Sequence, residues 1–223
     1  MIRLFCGWDE REAAGLGVFV NSVVERASEH VAIIPLHGPQ RNGSNAFTYV
    51  RFDVPRICEY EGWAIFADGS DMVCRADIAE LWAMRNPKYA VQVVKHDYTS
   101  NAKRKYIGTD MESPNVHYLR KNWSSLILWN CAHPANKVEA RNTLFGHQFS
   151  WLDDDLIGEL PLSWNWLCDE YGDSPKAKIL HWTQGIPGFR HYRHAPMAEV
   201  WHAEQEKAHR GMQTESAMLL EES

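Results

Sequence analysis

Short apolar runs alternate with longer segments of helical periodicity along the first part of the chain. The runs at residues 2–6, 31–36 and 63–67 have the length and composition of buried strands. Between the first two, residues 13–27 carry Ala, Leu, Val and Phe at helical spacing, which predicts a helix. Asp77 stands where an N-cap is expected for a further helix that runs through residue 84.

The remaining elements follow the same alternation with less regular spacing. Further strands are predicted at residues 89–94, 124–130 and 178–182. Helices are predicted at residues 47–52, 134–143 and 195–208, with a short helical piece around Asp155. Residues 99–115 are polar and lack a period, so we expect a long loop there, of a length that often serves as a lid.

Strands that alternate with helices predict an α/β fold with a mostly parallel central sheet flanked by helices. We expect one domain over residues 1–209, followed by a frayed or disordered tail over residues 210–223. Ligands bind at the carboxyl ends of the strands in such sheets. The polar segments at these ends are residues 7–12, 68–71, 95–97, Asn130 and His181.

The composition excludes several classes of protein. The 223 residues carry a formal net charge of -6, so no nucleic-acid partner is expected, because phosphates attract basic surfaces. No apolar run approaches the ~20 residues that span a bilayer, so no transmembrane segment is predicted. Five widely spaced cysteines without a Cys-x-x-Cys pair indicate reduced thiols and a cytoplasmic protein. Ten tryptophans are a high number, which either core packing or sugar stacking would explain.

The strongest local signal is FADGSD, residues 66–71, at the end of an apolar strand. Two close carboxylates, those of Asp68 and Asp71, repel each other unless a cation or a proton lies between them. The segment is therefore either a site for Mg²⁺ or Mn²⁺ with a diphosphate, or a polar turn whose carboxylates accept backbone N–H groups. His181 is a candidate third ligand, and its nitrogen would favour Mn²⁺.

Other segments allow more than one interpretation. Arg51 lies among aromatic residues, where it either holds a phosphate or carboxylate or packs a helix. The loop 183–190, with two glycines and a terminal arginine, either closes over a phosphate or simply connects two elements. Residues 120–125 combine amide, hydroxyl and indole groups that suit a sugar. No Walker motif, Gly-x-Gly-x-x-Gly after the first strand or Gly-x-Ser-x-Gly elbow is present.

Taken in order, these motifs resemble those of the glycogenin-like retaining glycosyltransferases. The matching segments are RF (51–52), FADGSD (66–71), DIAELW (77–82), NWSS (122–125), LPLSWN (160–165) and HWT (181–183). The patterns GWAIF (62–66) and RKNWSS (120–125) are closer to a bacterial branch of that family. The resemblance covers roughly residues 1–202 and implies the GT-A fold of nucleotide-diphospho-sugar transferases.

The resemblance implies roles for individual residues. Metal ligands would be Asp68, Asp71 and His181. Donor contacts would come from Gly7, Asp9, Arg11, Arg51, Asp68, Gly185 and Arg190. Residues near the reacting sugars would be Asn122, Ser124, Ser125, Asp153 and Asp154. Two departures stand out, since the acidic motif is one residue longer than Asp-x-Asp and the loop after His181 lacks the family lysine, leaving Arg190 as its candidate replacement.

We therefore predict a metal-dependent glycosyltransferase of the hexosyltransferase type. It would move a sugar from a nucleotide-sugar, most often UDP-linked, with retention and with Mn²⁺ or Mg²⁺. The acceptor, whether a carbohydrate, a lipid-linked molecule or a protein, and the oligomeric state are left open. Two alternatives remain, namely a non-catalytic carbohydrate-binding protein on a degenerate transferase fold and a sugar nucleotidyltransferase.

Overall fold

A computed structural model of the chain describes residues 1–38, 45–137 and 148–221, with side chains up to residue 210. In chain order, its first elements are β1 (Ile2–Gly7), α1 (Ala13–Val24), β2 (Val31–Leu36), α2 (Val54–Ile57), β3 (Trp63–Ala67), β4 (Met72–Cys74), α3 (Ile78–Ala83) and β5 (Val91–Val93). These are followed by β6 (Arg104–Lys105), β7 (Ser113–Pro114), β8 (Leu126–Asn130), β9 (Ile157–Glu159), β10 (Trp166–Leu167), α4 (Cys168–Tyr171), β11 (Ile179–His181) and α5 (Ala198–Glu221).

The core of the molecule is a six-stranded sheet in the order β2-β1-β3-β8-β5-β9. The pairs β1–β2, β1–β3 and β5–β9 are parallel, whereas β8 runs antiparallel to both β3 and β5. Helices flank the sheet, so the predicted α/β class with a mostly parallel central sheet is confirmed. One local expectation is wrong, because Asn130 lies opposite Trp63 at the start of β3. The reversed direction of β8 therefore puts Asn130 at the edge away from the carboxyl ends of the parallel strands.

Both faces of the central sheet are buried, as the alternation of its strand residues shows. On one face, Leu4, Ile65 and Leu128 pack against Phe19 of α1 and its neighbours. On the other face, successive residues of the same strands, such as Phe5, Phe66 and Trp129, pack against the segment that contains α2. A sheet covered on both sides reads as continuous apolar runs in the sequence, which is why its strands were predictable.

A smaller sheet, in the order β10-β11-β4, stands beside the carboxyl end of β3. Strand β11 is parallel to β10 and antiparallel to β4. Its outer side packs against α1 and α5 through a third apolar cluster that includes Val73, Trp182 and Trp201. Trp129, Trp164, Trp182 and Trp201 are fully buried, so core packing accounts for part of the tryptophan content.

Several predicted elements differ from the observed ones in their bounds. Five short strands, β4, β6, β7, β9 and β10, were not predicted from the sequence. The helix predicted at residues 134–143 is a single 3-10 turn, Pro134–Asn136, in the described residues, and residues 138–143 lie outside them. The terminal helix begins at Ala198 and runs to Glu221, past the predicted end at residue 208. The division into a domain over 1–209 and a tail over 210–223 stays a prediction.

Helix α1 packs closely against the turn that follows β3, and Gly15 makes this approach possible. A Cβ atom at Gly15 would stand 1.8 Å from the carbonyl oxygen of Ser70, a distance that no real contact allows. A Cβ atom at Gly17, about half a turn further along the same helix, would have no neighbouring atom within 4 Å. The two glycines thus face different surroundings within one helix.

We expect Gly15→Ala to lower the free energy of unfolding by about 1–3 kcal/mol, because the added methyl group forces the helix away from Ser70. Gly17→Ala should instead raise it by up to about 1 kcal/mol, because alanine is the better helix former. Urea denaturation of both variants checks this. Equal effects of the two substitutions would contradict the described packing.

Candidate active site

The turn between β3 and β4 brings two carboxylates to the boundary between the two sheets. Gly69 has φ of +75°, a conformation that glycine adopts without strain, so the chain reverses within four residues. The amide of Asp68 donates to the carbonyl of Ser125 at 2.8 Å, and the amide of Trp182 donates to the carbonyl of Asp71 at 3.0 Å. The turn is therefore anchored to both sheets through its backbone.

Asp68, Asp71 and His181 converge at this turn. One potential ligand atom from each residue lies within 4.8 Å of the other two. His181 Nε2 is 3.2 Å from Asp71 Oδ2, while Asp71 Oδ1 is buried without a hydrogen-bond partner among the described residues. The side chains of Asp71 and His181 are almost completely buried, and that of Asp68 is 13% exposed. The three predicted metal ligands are thus brought together, with one acceptor oxygen left unused.

A chain of polar groups orients the His181 ring. The side-chain oxygen of Asn165 is 2.9 Å from His181 Nδ1. The amide nitrogen of Asn165 donates to Ser125 Oγ, and this hydroxyl donates to the carbonyl of Asn122. The arrangement assigns the ring proton to Nδ1, so Nε2 presents a lone pair toward the Asp71 carboxylate. Two acceptors that face each other require a proton or a cation between them, and this donor set therefore fits a metal ion.

Arg51 stands on the opposite side of Asp68. Its guanidinium forms an ion pair with Asp68 Oδ1 at 2.7 Å and donates to the carbonyl of Ser124 at 2.8 Å. The rings of Phe47 and Phe66 lie 5.4 and 5.0 Å from its guanidinium carbon. Arg51 is 5% exposed, so it fixes the position of Asp68 as well as lining the site.

A cavity of about 480 Å³ opens above this cluster. Four further predicted site residues, Arg51, Asn122, Ser124 and Ser125, line it together with the acidic cluster. Lys105 of the short β6–β7 hairpin also lines the cavity. Burial lowers the pKa of Lys105, although the carboxylates of Asp71, Glu12 and Asp68 favour its charged form. The cavity therefore combines cations, carboxylates and neutral hydrogen-bonding groups.

Burial and mutual repulsion alter the acidity of the carboxyl groups here. Burial raises the pKa of Asp68 to about 6, with a further contribution from Asp71, while Arg51 opposes the rise. Burial and the nearby Asp71 also hold the pKa of Glu12 well above its usual range. Glu12 is 1% exposed, and its Oε1 has no partner among the described residues. The carboxyl groups of Asp68, Asp71 and Glu12 thus lie close together with little compensating positive charge.

The predicted residues of the first loop lie outside this cavity lining. The Asp9 carboxylate accepts from the side chain of Arg11 and from the amides of Arg11 and Ala46. Although burial opposes it, these donors lower the pKa of Asp9 to about 2. A Cβ at Gly7 would stand 2.4 Å from the Phe47 ring. Asp9 and Gly7 therefore have clear structural roles, and their contacts with a nucleotide stay predictions.

Four further predicted residues are also separate from the acidic cluster. Gly185 is buried in its loop, where a Cβ would meet the Tyr192 ring at 2.4 Å. Arg190 is exposed and borders a different cavity, and its role as a replacement for the family lysine stays a prediction. Asp153 and Asp154 are exposed, and Asp154 forms an ion pair with Arg120 beside a second cavity.

Sequence reasoning missed Glu12, Asn165 and Lys105. The spacing of Asn165 and His181 carries no signal, because their contact depends on the pairing of β10 with β11. Lys105 belongs to a segment predicted as an unstructured loop, and only the two-residue pairing of β6 with β7 turns it toward the cavity. Glu12 directly precedes α1, and the signal available was its place in the polar segment 7–12 after β1.

We expect Glu12→Gln to stabilise the protein in the presence of a chelator at pH 8. A carboxyl group whose pKa is raised by folding contributes stability below its unfolded-state pKa, and this contribution is lost as pH rises through the folded-state pKa. The melting temperature of the variant should exceed that of the wild type at pH 8, by roughly 2–4 °C for each kcal/mol relieved. The gap should close near pH 4.

Glu10→Gln is the matched control, since Glu10 is exposed two residues earlier in the chain. Its melting temperature should equal that of the wild type at both pH values. A Glu12→Gln variant that is less stable than the wild type at pH 8 would show that the buried carboxylate is stabilising, contrary to this expectation.

Comparison with solved structures identifies the fold as that of GT-A-type glycosyltransferases. The chain superposes on the apo form of the glycosyltransferase GlyE from Streptococcus pneumoniae with a TM-score of 0.62 and 13% identity, over 96% of this chain and 64% of that one. The bifunctional glycosyltransferase WbbM gives 0.61 and 16% identity, over 92% of this chain and 49% of that one. This chain therefore spans about half of WbbM and somewhat under two thirds of GlyE.

The galactosyltransferase LgtC, solved with donor and acceptor sugar analogs, matches over nearly the full length of both chains. The TM-score is 0.57 with 12% identity, over 92% of this chain and 96% of LgtC. These similarities confirm the predicted GT-A fold, while the glycogenin-like and bacterial assignments stay predictions. None of the helices in the described part of the chain is long and apolar enough to cross a membrane.

No protein-family model matches the chain. A curated relative does, namely Protein CDI of Arabidopsis thaliana, which is 35% identical over 228 residues. The match covers 92% of this chain and 86% of the relative. On this similarity, the chain belongs to the family of Arabidopsis thaliana Protein CDI.

Proposed function

We propose that the protein is a glycosyltransferase that takes its sugar from a nucleotide-sugar donor and depends on a divalent cation. One observation carries the proposal, namely the convergence of Asp68, Asp71 and His181 at the floor of a cavity in a GT-A-type fold. The structural neighbours are themselves named as glycosyltransferases, which supports the same reaction class.

Asp68, Asp71 and His181 would hold the cation. Two carboxylates and one imidazole suit Mn²⁺ better than Mg²⁺, which prefers oxygen ligands alone. The unused Asp71 Oδ1 and the orientation of His181 by Asn165 support this assignment. When bound, such an ion neutralises negative charge that develops on a leaving nucleoside diphosphate.

Lys105 and Arg51 would supply the positive charge beside the donor diphosphate. Lys105 pairs with no carboxylate within ion-pair distance among the residues that the structure describes, so its ammonium is available to a ligand. Arg51 already pairs with Asp68 and would act mainly by fixing that carboxylate. Lys105 would thus take the role that the family resemblance assigns to a lysine after His181. UDP is the proposed leaving group, and retention of configuration stays part of the proposal.

Asn122 and Ser125 would contact the transferred sugar. Asn122 adopts a left-handed conformation with φ of +62°, and its side-chain amide donates to the Tyr98 hydroxyl at 2.6 Å. The Ser125 hydroxyl belongs to the chain of groups that orients His181. We assign no protein nucleophile, and Asp153 and Asp154 are proposed only as groups near the acceptor.

The hairpin within residues 99–115 is proposed to close over a bound donor. Its residue Tyr106 donates a backbone hydrogen bond to the carbonyl of Gln184, and the amide of Ile107 donates to the Tyr192 hydroxyl. These contacts link the hairpin to the loop after His181, so both segments would respond together to a ligand.

A non-catalytic carbohydrate-binding protein is the second candidate. Its support is that Arg51 already pairs with Asp68, and that a protonated His181 would pair with Asp71 in place of a metal ion. Such a protein would bind sugars with no dependence on nucleotide or cation. The donor experiment below separates the two functions.

We expect UDP with Mn²⁺ to raise the melting temperature of the wild-type protein, since a ligand at about 100 times its dissociation constant adds roughly 2.7 kcal/mol of stability. The shift should be lost with a chelator and in Asp71→Ala, and it should shrink in Lys105→Met. Asp173→Ala, which removes an exposed carboxylate, is the matched control and should respond like the wild type. Thermal melting with a panel of nucleoside diphosphates measures all four.

Hydrolysis or transfer of the sugar from UDP-linked donors, followed by chromatography, then tests activity directly. A folded wild-type protein whose melting temperature rises with none of the nucleoside diphosphates, whichever metal ion is added, would contradict the transferase proposal. Sugar binding that is insensitive to chelator in that case would favour the binding protein instead.

A further inference from the structure

A second cavity, of about 560 Å³, adjoins the one above the acidic cluster. The Tyr118 side chain lines both cavities. Beyond it, the chain alternates between them, since Lys121 and Trp123 line the second cavity whereas Asn122 and Ser124 line the first. One segment is therefore the common wall, and a molecule in either cavity lies next to a molecule in the other.

The second cavity holds two cations around one indole ring. The Lys95 ammonium lies 5.7 Å from the centre of the Trp123 ring, and the Arg120 guanidinium carbon lies 5.3 Å from it. The indole N–H donates to the carbonyl of His96 at 2.8 Å, which fixes the ring. Lys95 pairs with no carboxylate among the described residues, whereas Arg120 pairs with Asp154. Two like charges on one ring repel each other, and an anion between them would relieve that repulsion.

A third positive group, Lys121, stands in the same wall. Its ammonium donates to Asn115 Oδ1 and to the carbonyl of Val116, which leaves one of its three protons for a ligand. The lining of the second cavity contains three basic residues, Lys95, Arg120 and Lys121, and two acidic ones, Asp97 and Asp154. The chain as a whole has a negative net charge. The cavity is locally more favourable to anions than the molecule as a whole.

His96 provides a second, independent observation. It lines the cavity and is 6% exposed, and its Nε2 has no hydrogen-bond partner among the described residues. Burial lowers the pKa of His96 to about 3, so the ring is neutral at physiological pH. Its Nδ1 lies 3.0 Å from the Tyr171 hydroxyl. When that hydroxyl donates to Nδ1, the ring proton is on Nε2, and a buried donor there calls for an acceptor.

We propose that the second cavity binds the acceptor of the sugar transfer and that this acceptor carries a phosphate group, held by Lys95, Lys121 and His96. The inference rests on the proposed transferase function, because the second cavity is assigned to the acceptor on the ground that it adjoins the proposed donor cavity. A phosphate offers several strong acceptor oxygens, which matches donors that approach from three separate side chains. Tyr98 and Tyr118 provide aromatic surface for the sugar or alcohol that bears it.

The phosphate has two possible sources, a free sugar phosphate or the headgroup of a lipid. Leu119, which lines the second cavity, is 66% exposed, and Val116, two residues before Tyr118, is 65% exposed. Exposed apolar side chains beside a phosphate site are compatible with a lipid chain, whereas a soluble sugar phosphate needs only the cavity. The two sources are distinguished by the probe that binds.

The test is equilibrium binding of glucose 6-phosphate, glucose and glucuronate to the purified full chain, at low and high salt. A second arm uses phosphatidylcholine vesicles with and without phosphatidic acid. We expect a phosphorylated probe to bind and the matched probe without phosphate to bind at least about tenfold more weakly, because charge-assisted hydrogen bonds are lost. Binding should weaken with salt, since the site is open to solvent ions.

Paired variants separate the two cavities. Lys95→Met should weaken binding of the phosphorylated probe about tenfold and leave the UDP and Mn²⁺ response intact, whereas Lys105→Met should do the reverse. Lys95→Arg should restore much of the binding. Lys88→Met is the matched control, because Lys88 is also a lysine 5.4 Å from an aromatic ring, that of Tyr89, but it lies on the surface away from the cavity.

Each result bears on one proposal. Glucose or glucuronate that binds as tightly as glucose 6-phosphate, or phosphate binding that Lys95→Met leaves unchanged, would overturn the phosphate acceptor site. A protein that binds the phosphorylated probe through Lys95 but shows no response to UDP would contradict the transferase proposal. The second cavity would then still be an anion-binding site. Binding of phosphatidic acid vesicles without glucose 6-phosphate binding supports the proposal and identifies the lipid as the source.

Discussion

Burying carboxylates at the boundary between two sheets is the constraint on which the rest of this structure depends. Asp68 and Asp71 lie where the central sheet ends and the small sheet begins, and neither carboxylate is stable there without compensation. Arg51 pairs with the first, and His181 stands against the second. Asn165 then holds the imidazole in one tautomer. The small sheet therefore matters less for its size than for placing the His181 imidazole opposite an acid.

The parts of this fold that could be predicted are those whose pattern is local. Strands buried on both faces, such as β1 and β3, read as apolar runs, and the acidic turn follows β3 directly. The direction of β8 could not be predicted, because an antiparallel strand buried on both faces has the same composition as a parallel one. That reversal moves Asn130 to the far edge, although its position after a strand made it a candidate.

Site residues that sequence reasoning missed share a different property. Lys105 and Asn165 reach the site only through short pairings, β6 with β7 and β10 with β11, that are two residues long. Such strands carry no periodicity that a sequence pattern can reveal. Conversely, Asp9 and Arg190 match a family pattern in sequence, but the first is engaged by Arg11 and the second faces another cavity. Pattern and position agree for Asp68 and Asp71, which directly follow the buried strand β3.

The two cavities share one segment of the chain as a common wall. Residues 121–124 alternate between the cavities, and the left-handed conformation of Asn122 turns the chain there, just before the 3-10 turn Trp123–Ser125. The same segment accepts the guanidinium of Arg51 through a backbone carbonyl. A shift of this wall would therefore alter both cavities and the acidic cluster together.

The pairing of β11 with β4 also has a consequence for synthesis of the chain on the ribosome. Asp71 and His181 are 110 residues apart, and Arg51 is 73 residues from its carbonyl partner at Ser124. While the first half of the chain emerges, the two carboxylates have no imidazole to meet, and closing so long a loop is slow. The two carboxylates and the imidazole are therefore not together during the earliest folding steps. They can meet only after residue 181 has been synthesised, and a chain that stalls before residue 179 has Asp68 and Asp71 but lacks the His181 imidazole.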